Sequence, residues 1–312
     1  MQSNNKQLAP IIVFAYNRPD HLSKTLTFLA NNKLADESVL YVLIDGPKSA
    51  SGKEKTDAVF EAAKKYENGY FKRVSISKKT SNCGLANSVI SGVTDIIKEH
   101  GKAIIVEDDV LTSESFLLFM NEALEYYKDN NKIWSVGGFT VPATSEDADS
   151  VFFVQRCSSC CWGTWADRWI KIDWKVTDYS SFHYSLSKRR SFNQFGNDRS
   201  MMLDDQMNNR VDSWAIRFDY AMWKNDMFNV LPYRSLSTNI GFDGSGTHSA
   251  DDAGQDSFFV ALSDLKKPEK FIFTDFEISE EIKNKYRRIF DVSFASRTKR
   301  FWGNVFYSLR KK

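Results

Sequence analysis

Along the first 110 residues the chain alternates short unbroken apolar runs with stretches whose apolar residues recur every three or four positions. The first kind suits strands covered on both faces and the second suits amphipathic helices. The alternation therefore predicts strands joined by crossover helices in a mostly parallel sheet. Residues 10–16 (PIIVFAY) and 39–44 (VLYVLI) read as the first two strands, and Leu22, Leu26 and Leu29 give helical spacing to 20–31. Helices are expected over 53–66 and 84–99, and strands at 73–77 and 103–106. Beyond Asp109 the pattern predicts a helix over 113–127 and strands at 134–139 and 151–153, after which periodicity fades. From Cys157 to about Asp256 the chain is rich in Trp, Arg, Asp and Gly without regular spacing, which fits an irregular substrate-facing lobe. One helix is predicted inside it, over 204–225, with Val211, Ile216, Tyr220 and Met222 or Trp223 on its apolar face.

A length of 312 residues is enough for one large sheet with an appended lobe. The expected division is a catalytic unit over 1–256, split at about 112 into a nucleotide-binding and an acceptor-side half, followed by an extension over 257–312. With 42 Lys and Arg against 40 Asp and Glu, the net charge of +2 argues against a dedicated polyanion binder. No apolar run approaches the roughly 20 residues that span a bilayer, and the polar first seven residues are unlike a secretory signal, so a cytoplasmic location is expected. Three of the four cysteines, Cys157, Cys160 and Cys161, crowd together without zinc spacing and are expected to be small buried groups. From Lys283 onward ten Lys or Arg face the single acid Asp291, interleaved with Phe294, Phe301, Trp302, Phe306 and Tyr307. That composition suits either peripheral attachment to an anionic membrane surface, or else a basic helix packed on the body or a disordered tail.

Chemistry concentrates where the strands end. Glu107, Asp108 and Asp109 follow an apolar strand at the edge where open α/β sheets bind ligands. Three adjacent acids beside a low-dielectric core repel one another unless a cation compensates them, and Mn²⁺ or Mg²⁺ bridging a diphosphate is one solution. The other reading is a solvated turn or an acidic helix start. Tyr16, Asn17 and Arg18 end the first strand, where Arg18 could meet a phosphate or a base edge while Asp20 caps the next helix. Asp45 ends the second, where it could accept from a uracil imide or a ribose hydroxyl, or simply form an Asp-Gly-Pro turn.

Over residues 10–250 these features resemble the glycosyltransferase-A fold, most closely the family of N-acetylglucosaminyltransferase I and its bacterial relatives. The family shows an Arg-containing turn after strand one, an Asp ending strand two and Glu-Asp-Asp as its form of the Asp-X-Asp motif, matched by Arg18, Asp45 and 107–109. The resemblance implies that Asp109 binds the metal, Asp108 and Glu107 contact ribose and donor sugar, and Arg18 with Asp45 holds uridine. It further implies acceptor contacts from Trp162, in Cys-Trp-Gly-Thr-Trp, and from Trp214. Thr247 and His248, in Gly-Ser-Gly-Thr-His-Ser, would meet the diphosphate. Asp212 matches the family's catalytic base, although Ser213 replaces the second acid of its Asp-Asp-Trp, and Asp205 is the fallback.

The function implied is metal-dependent, inverting transfer of N-acetylglucosamine or a related hexose from a UDP-sugar to a glycan or lipid-linked oligosaccharide of a surface polysaccharide. No nucleic acid partner is expected. A sugar-phosphate nucleotidyltransferase would need a Gly-rich phosphate loop after strand one, where this chain has Asn17-Arg18-Pro19. A non-catalytic carbohydrate-binding protein would leave the acids at the strand end without a role.

Overall fold

A computed structural model describes residues 7–141, 149–241, 260–261, 265 and 268–293. In chain order its elements are β1 (Ile11–Ala15), α1 (Pro19–Ala30), β2 (Val39–Ile44), α2 (Lys53–Lys64), β3 (Arg73–Lys78), α3 (Leu85–His100), β4 (Lys102–Glu107) and β5 (Val110–Thr112). Then come α4 (Phe116–Tyr126), β6 (Ile133–Gly137), β7 (Val151–Val154), β8 (Cys161–Trp165), α5 (Ala166–Trp169), α6 (Tyr179–His183), α7 (Leu186–Phe192) and α8 (Asp198–Met207). The last are α9 (Trp214–Lys224), β9 (Phe228–Pro232), β10 (Ser237–Asn239) and α10 (Glu280–Phe290).

Eight strands form one mixed sheet in the order β3-β2-β1-β4-β8-β6-β9-β7. β8 and β7 run against the other six, so the sheet is mostly parallel, as expected. β1 explains its own unbroken apolar sequence. Ile11, Val13 and Ala15 pack on one face with Leu22 and Leu26 of α1, while Ile12 and Phe14 pack on the other with Val89 and Val93 of α3. After β3 the chain returns through α3 to the far side of β1, so the strand order reverses between β1 and β4. Such a switch point opens a crevice at the carboxyl ends of the two strands.

The part of the chain after β5 is more regular than its sequence suggests. Residues 161–165 form β8, fully buried between β4 and β6, because both of its faces are apolar and both of its edges are paired. The single helix expected over 204–225 is two helices. Asn209 adopts a left-handed conformation (φ 57°) that ends the first, and Ser213 begins the second by accepting from the Ile216 amide at 3.4 Å. β9 was not expected. Part of the extension packs on the body, with Ile282 and Tyr286 of α10 in the main core. The basic aromatic stretch after Ser293 lies outside the described residues. No helix among the described residues is long and apolar enough to cross a membrane.

Candidate nucleotide-sugar site

The crevice between β1 and β4 is closed by charge. Register places Phe14 beside Glu107, so the turn after β1 and the acids after β4 emerge side by side. Arg18 stands just before Pro19, the first residue of α1, and reaches across. Its Nη2 pairs with Asp108 and lies 2.8 Å from Asp109 Oδ2. The three-acid cluster thus finds its counter-charge within the chain, in the side chain expected to meet a phosphate or base. Arg18 Nη1 has no hydrogen-bond partner among the described residues, which leaves the guanidinium donor capacity for an oxygen of a ligand.

The acids differ in environment. Burial, with help from Asp109, pushes the Asp108 carboxyl up to about 6 against the attraction of Arg18. Burial together with Asp109, Cys160 and Asp108 holds Glu107 well above the usual carboxylate range. No hydrogen bond to the Glu107 side chain comes from the described residues, and its carboxyl lines a cavity of about 380 Å³ on the β8 side. Asp109 is held by the small sheet of β5 and β10: Asn239 Nδ2 donates to its Oδ1 at 3.2 Å and Ile240 N to its carbonyl at 2.8 Å. A Cβ on Gly241 would clash with Asp109 Oδ2, so only glycine fits against this carboxylate. Both Asp109 oxygens are engaged, Oδ1 by Asn239 and Oδ2 by Arg18, so Mg²⁺ or Mn²⁺ would take the place of Arg18 at Oδ2 and bind there with few protein ligands, as such ions do beside a nucleotide. Among the described residues no group of three or more His, Cys, Asp or Glu is arranged to hold a metal unaided.

Asp45 departs from its expected use. Its Oδ1 accepts from the amides of Gly46 and Cys83, both at 2.9 Å, and its Oδ2 from Asn82 Nδ2 at 2.9 Å and the Gly84 amide at 3.1 Å. Four donors saturate a carboxylate, so Asp45 folds the 82–84 loop instead of offering an acceptor to uracil. A Cβ on Gly46 would strike the Ser81 backbone, which explains the Asp-Gly sequence. Tyr16 and Asn17 are half-buried at the rim, with the Lys48 ammonium 5.9 Å from the Tyr16 ring centre.

The aromatic acceptor contacts are corrected. Trp162 is 1% and Trp214 3% exposed, and their rings stack on each other at 5.0 Å. Trp169 stacks on Trp162 at 5.9 Å and Phe218 adds a third neighbour at 4.9 Å. A sugar cannot reach faces already covered by other rings, so both tryptophans are core residues that fasten α9 to the sheet. Asp212 lies two residues before α9, whose Trp214 rests on Trp162. It is 58% exposed and pairs with Arg217 at 3.0 Å, and no contact joins it to the acids of β4. Asp205 is buried on α8 against Arg210 at 2.9 Å. Thr247 and His248 lie outside the described residues. Sequence reasoning missed Asn82, four residues after β3, and Asn239, the last residue of β10.

Fold and site together define an α/β protein with a large, mostly parallel sheet flanked by helices and an Arg-neutralised acidic edge at its switch point. No family model matches the chain, and no curated protein matches it. Among solved structures it is similar to residues 1–349 of S. aureus TarS, with a TM-score of 0.44 at 13% identity over 75% of this chain and 61% of that one. For the complex of TarS 1–349 with UDP-GlcNAc the TM-score is 0.39 at 13% identity, over 74% and 57%. The chain thus spans less than two thirds of either TarS structure.

Proposed function

We propose that this protein is a glycosyltransferase that binds a UDP-sugar at the carboxyl edge of β1 and β4 and transfers its sugar to a hydroxyl of a glycan or lipid-linked acceptor. The observation that carries the reading is the meeting of Arg18 with Asp108 and Asp109 at the switch point, beside a cavity on the acceptor side. In it Arg18 moves from the acids toward a phosphate oxygen, Asp108 and Glu107 face ribose and sugar, and the 82–84 loop held by Asp45 supports the nucleoside. Asp109 would hold Mn²⁺ or Mg²⁺, which neutralises charge on the departing diphosphate. For inverting transfer Asp212 is the proposed base, taking the acceptor proton once Arg217 releases it. The basic tail is proposed to hold the enzyme at an anionic membrane surface.

A second reading follows from the Arg18 contacts themselves: the guanidinium supplies the positive charge and no metal is required. Release of UDP from a panel of UDP-sugars, with Mn²⁺ and with EDTA, separates the two. We expect release that EDTA abolishes and that Asp109→Ala lowers at least a hundredfold. Asp212→Ala should bind donor normally and lose transfer. Undiminished release in EDTA would establish the metal-free reading, and full transfer by Asp212→Ala would remove that residue from the mechanism.

A further inference from the structure

The cavity beside Glu107 lies on the β8, β6 and β9 side of the acids, opposite Arg18 and Asp45. A donor held on the β1 edge would therefore meet at Glu107 whatever fills this space. Phe139, Val141, Leu231, Tyr286 and Phe290 line it together with Glu107, and Ser158, Ser159 and Asn239 add a minority of polar groups. The one guanidinium on the rim is already engaged. Arg156 forms a two-point pair with Asp198 at 2.8 and 2.7 Å and lies 3.7 Å over the Phe290 ring. The pocket therefore lacks a free cation for a phosphate or carboxylate among the described residues, and its lining asks for an apolar guest.

The far wall is held in place deliberately. The Asn197 amide donates to Asp291 Oδ1 at 2.8 Å and Val292 N returns a bond to Asn197 Oδ1 at 2.8 Å, clipping the end of α10 to the start of α8. Gly196, at φ 129°, leaves no room for a Cβ against Phe290 and Arg156. An acetyl methyl, comparable to the roughly 30 Å³ share of one water, would leave about 380 Å³ mostly empty.

Resting on the glycosyltransferase reading, we propose that the acceptor is a glycoside with an apolar aglycone, and that Phe139, Leu231, Tyr286 and Phe290 hold that aglycone beside Glu107. These four residues then determine acceptor specificity. An aglycone that buries on the order of 100 Å² of apolar surface should gain roughly tenfold to a hundredfold in affinity.

The test compares methyl, phenyl and hexyl glucosides and N-acetylglucosaminides. Acceptor KM is read from UDP release, and direct binding to the full chain is read by saturation-transfer NMR. The expected result is a KM at least tenfold lower for hexyl than for methyl glycosides, with transfer signals from the aglycone protons. Ser159→Trp, on the exposed rim, narrows the cavity without touching the core, and Phe290→Ala removes a wall; each should reduce the gain below threefold in protein that melts normally. Equal KM values across the series, a gain that survives both variants, or a gain that follows an N-acyl group on the donor would overturn the proposal. If no donor releases UDP the glycosyltransferase reading fails, and the NMR comparison still decides whether the cavity takes the aglycone.

Discussion

Asp108 has the site's most informative titration. Its carboxyl is held at about 6 by burial, against about 3.9 for an unperturbed aspartate. The folded protein therefore binds this proton more tightly than the unfolded chain does. Below about pH 4 the group is neutral in both states, and as pH rises through 6 the folded state loses stability relative to the unfolded one. Asp108→Asn removes that dependence. The melting temperature of the variant should gain on that of the parent between pH 5 and pH 7, and a constant difference across that interval would contradict the assignment. Residues 16–18 and 107–109 were legible because each ends a strand that its own apolar run reveals. Asn239 was not, since its bond to Asp109 joins positions 130 apart and no local period encodes such a pair.

At the scale of elements, the aromatic residues teach the clearest lesson. Trp162 sits in a Gly-containing segment expected to contact the acceptor, yet β4 and β6 pair with both edges of its strand. The covers on its ring come from Trp169, on the short α5 that sequence spacing did not locate, and from Trp214 at the start of α9. The first-half strands and helices were readable because each is amphipathic or doubly buried over its whole length. The short helices α5 to α7 are too brief to show a period, and α8 and α9 merged because their break depends on the backbone of Asn209. If the tryptophan stack is core, Trp162→Ala should destabilise the fold by about 3–5 kcal/mol. Chemical denaturation reads this directly. Native stability with selectively weakened acceptor binding would restore the sugar-stacking role.

For the whole molecule, the order of strands matters more than any motif. Reversal between β1 and β4 turns two separate polar strand ends into one crevice, and the antiparallel insertion of β8 sets a cavity on its other side. The extension contributes α10 to that cavity, and the basic aromatic stretch follows directly after it in the sequence. Truncation before Arg297 should release the protein from vesicles containing anionic lipid while leaving neutral vesicles unaffected. Cosedimentation unchanged by the truncation would refute membrane attachment through the tail.

The central claim is that the β1 and β4 edge binds a uridine nucleotide through groups now paired with one another. Calorimetric titration of UDP into the intact protein with Mn²⁺ tests it most directly. The account predicts saturable binding near one equivalent, weakened at least tenfold in Arg18→Ala and in Asp109→Ala. No heat of binding for UDP at millimolar concentration, or binding indifferent to both substitutions, would contradict it.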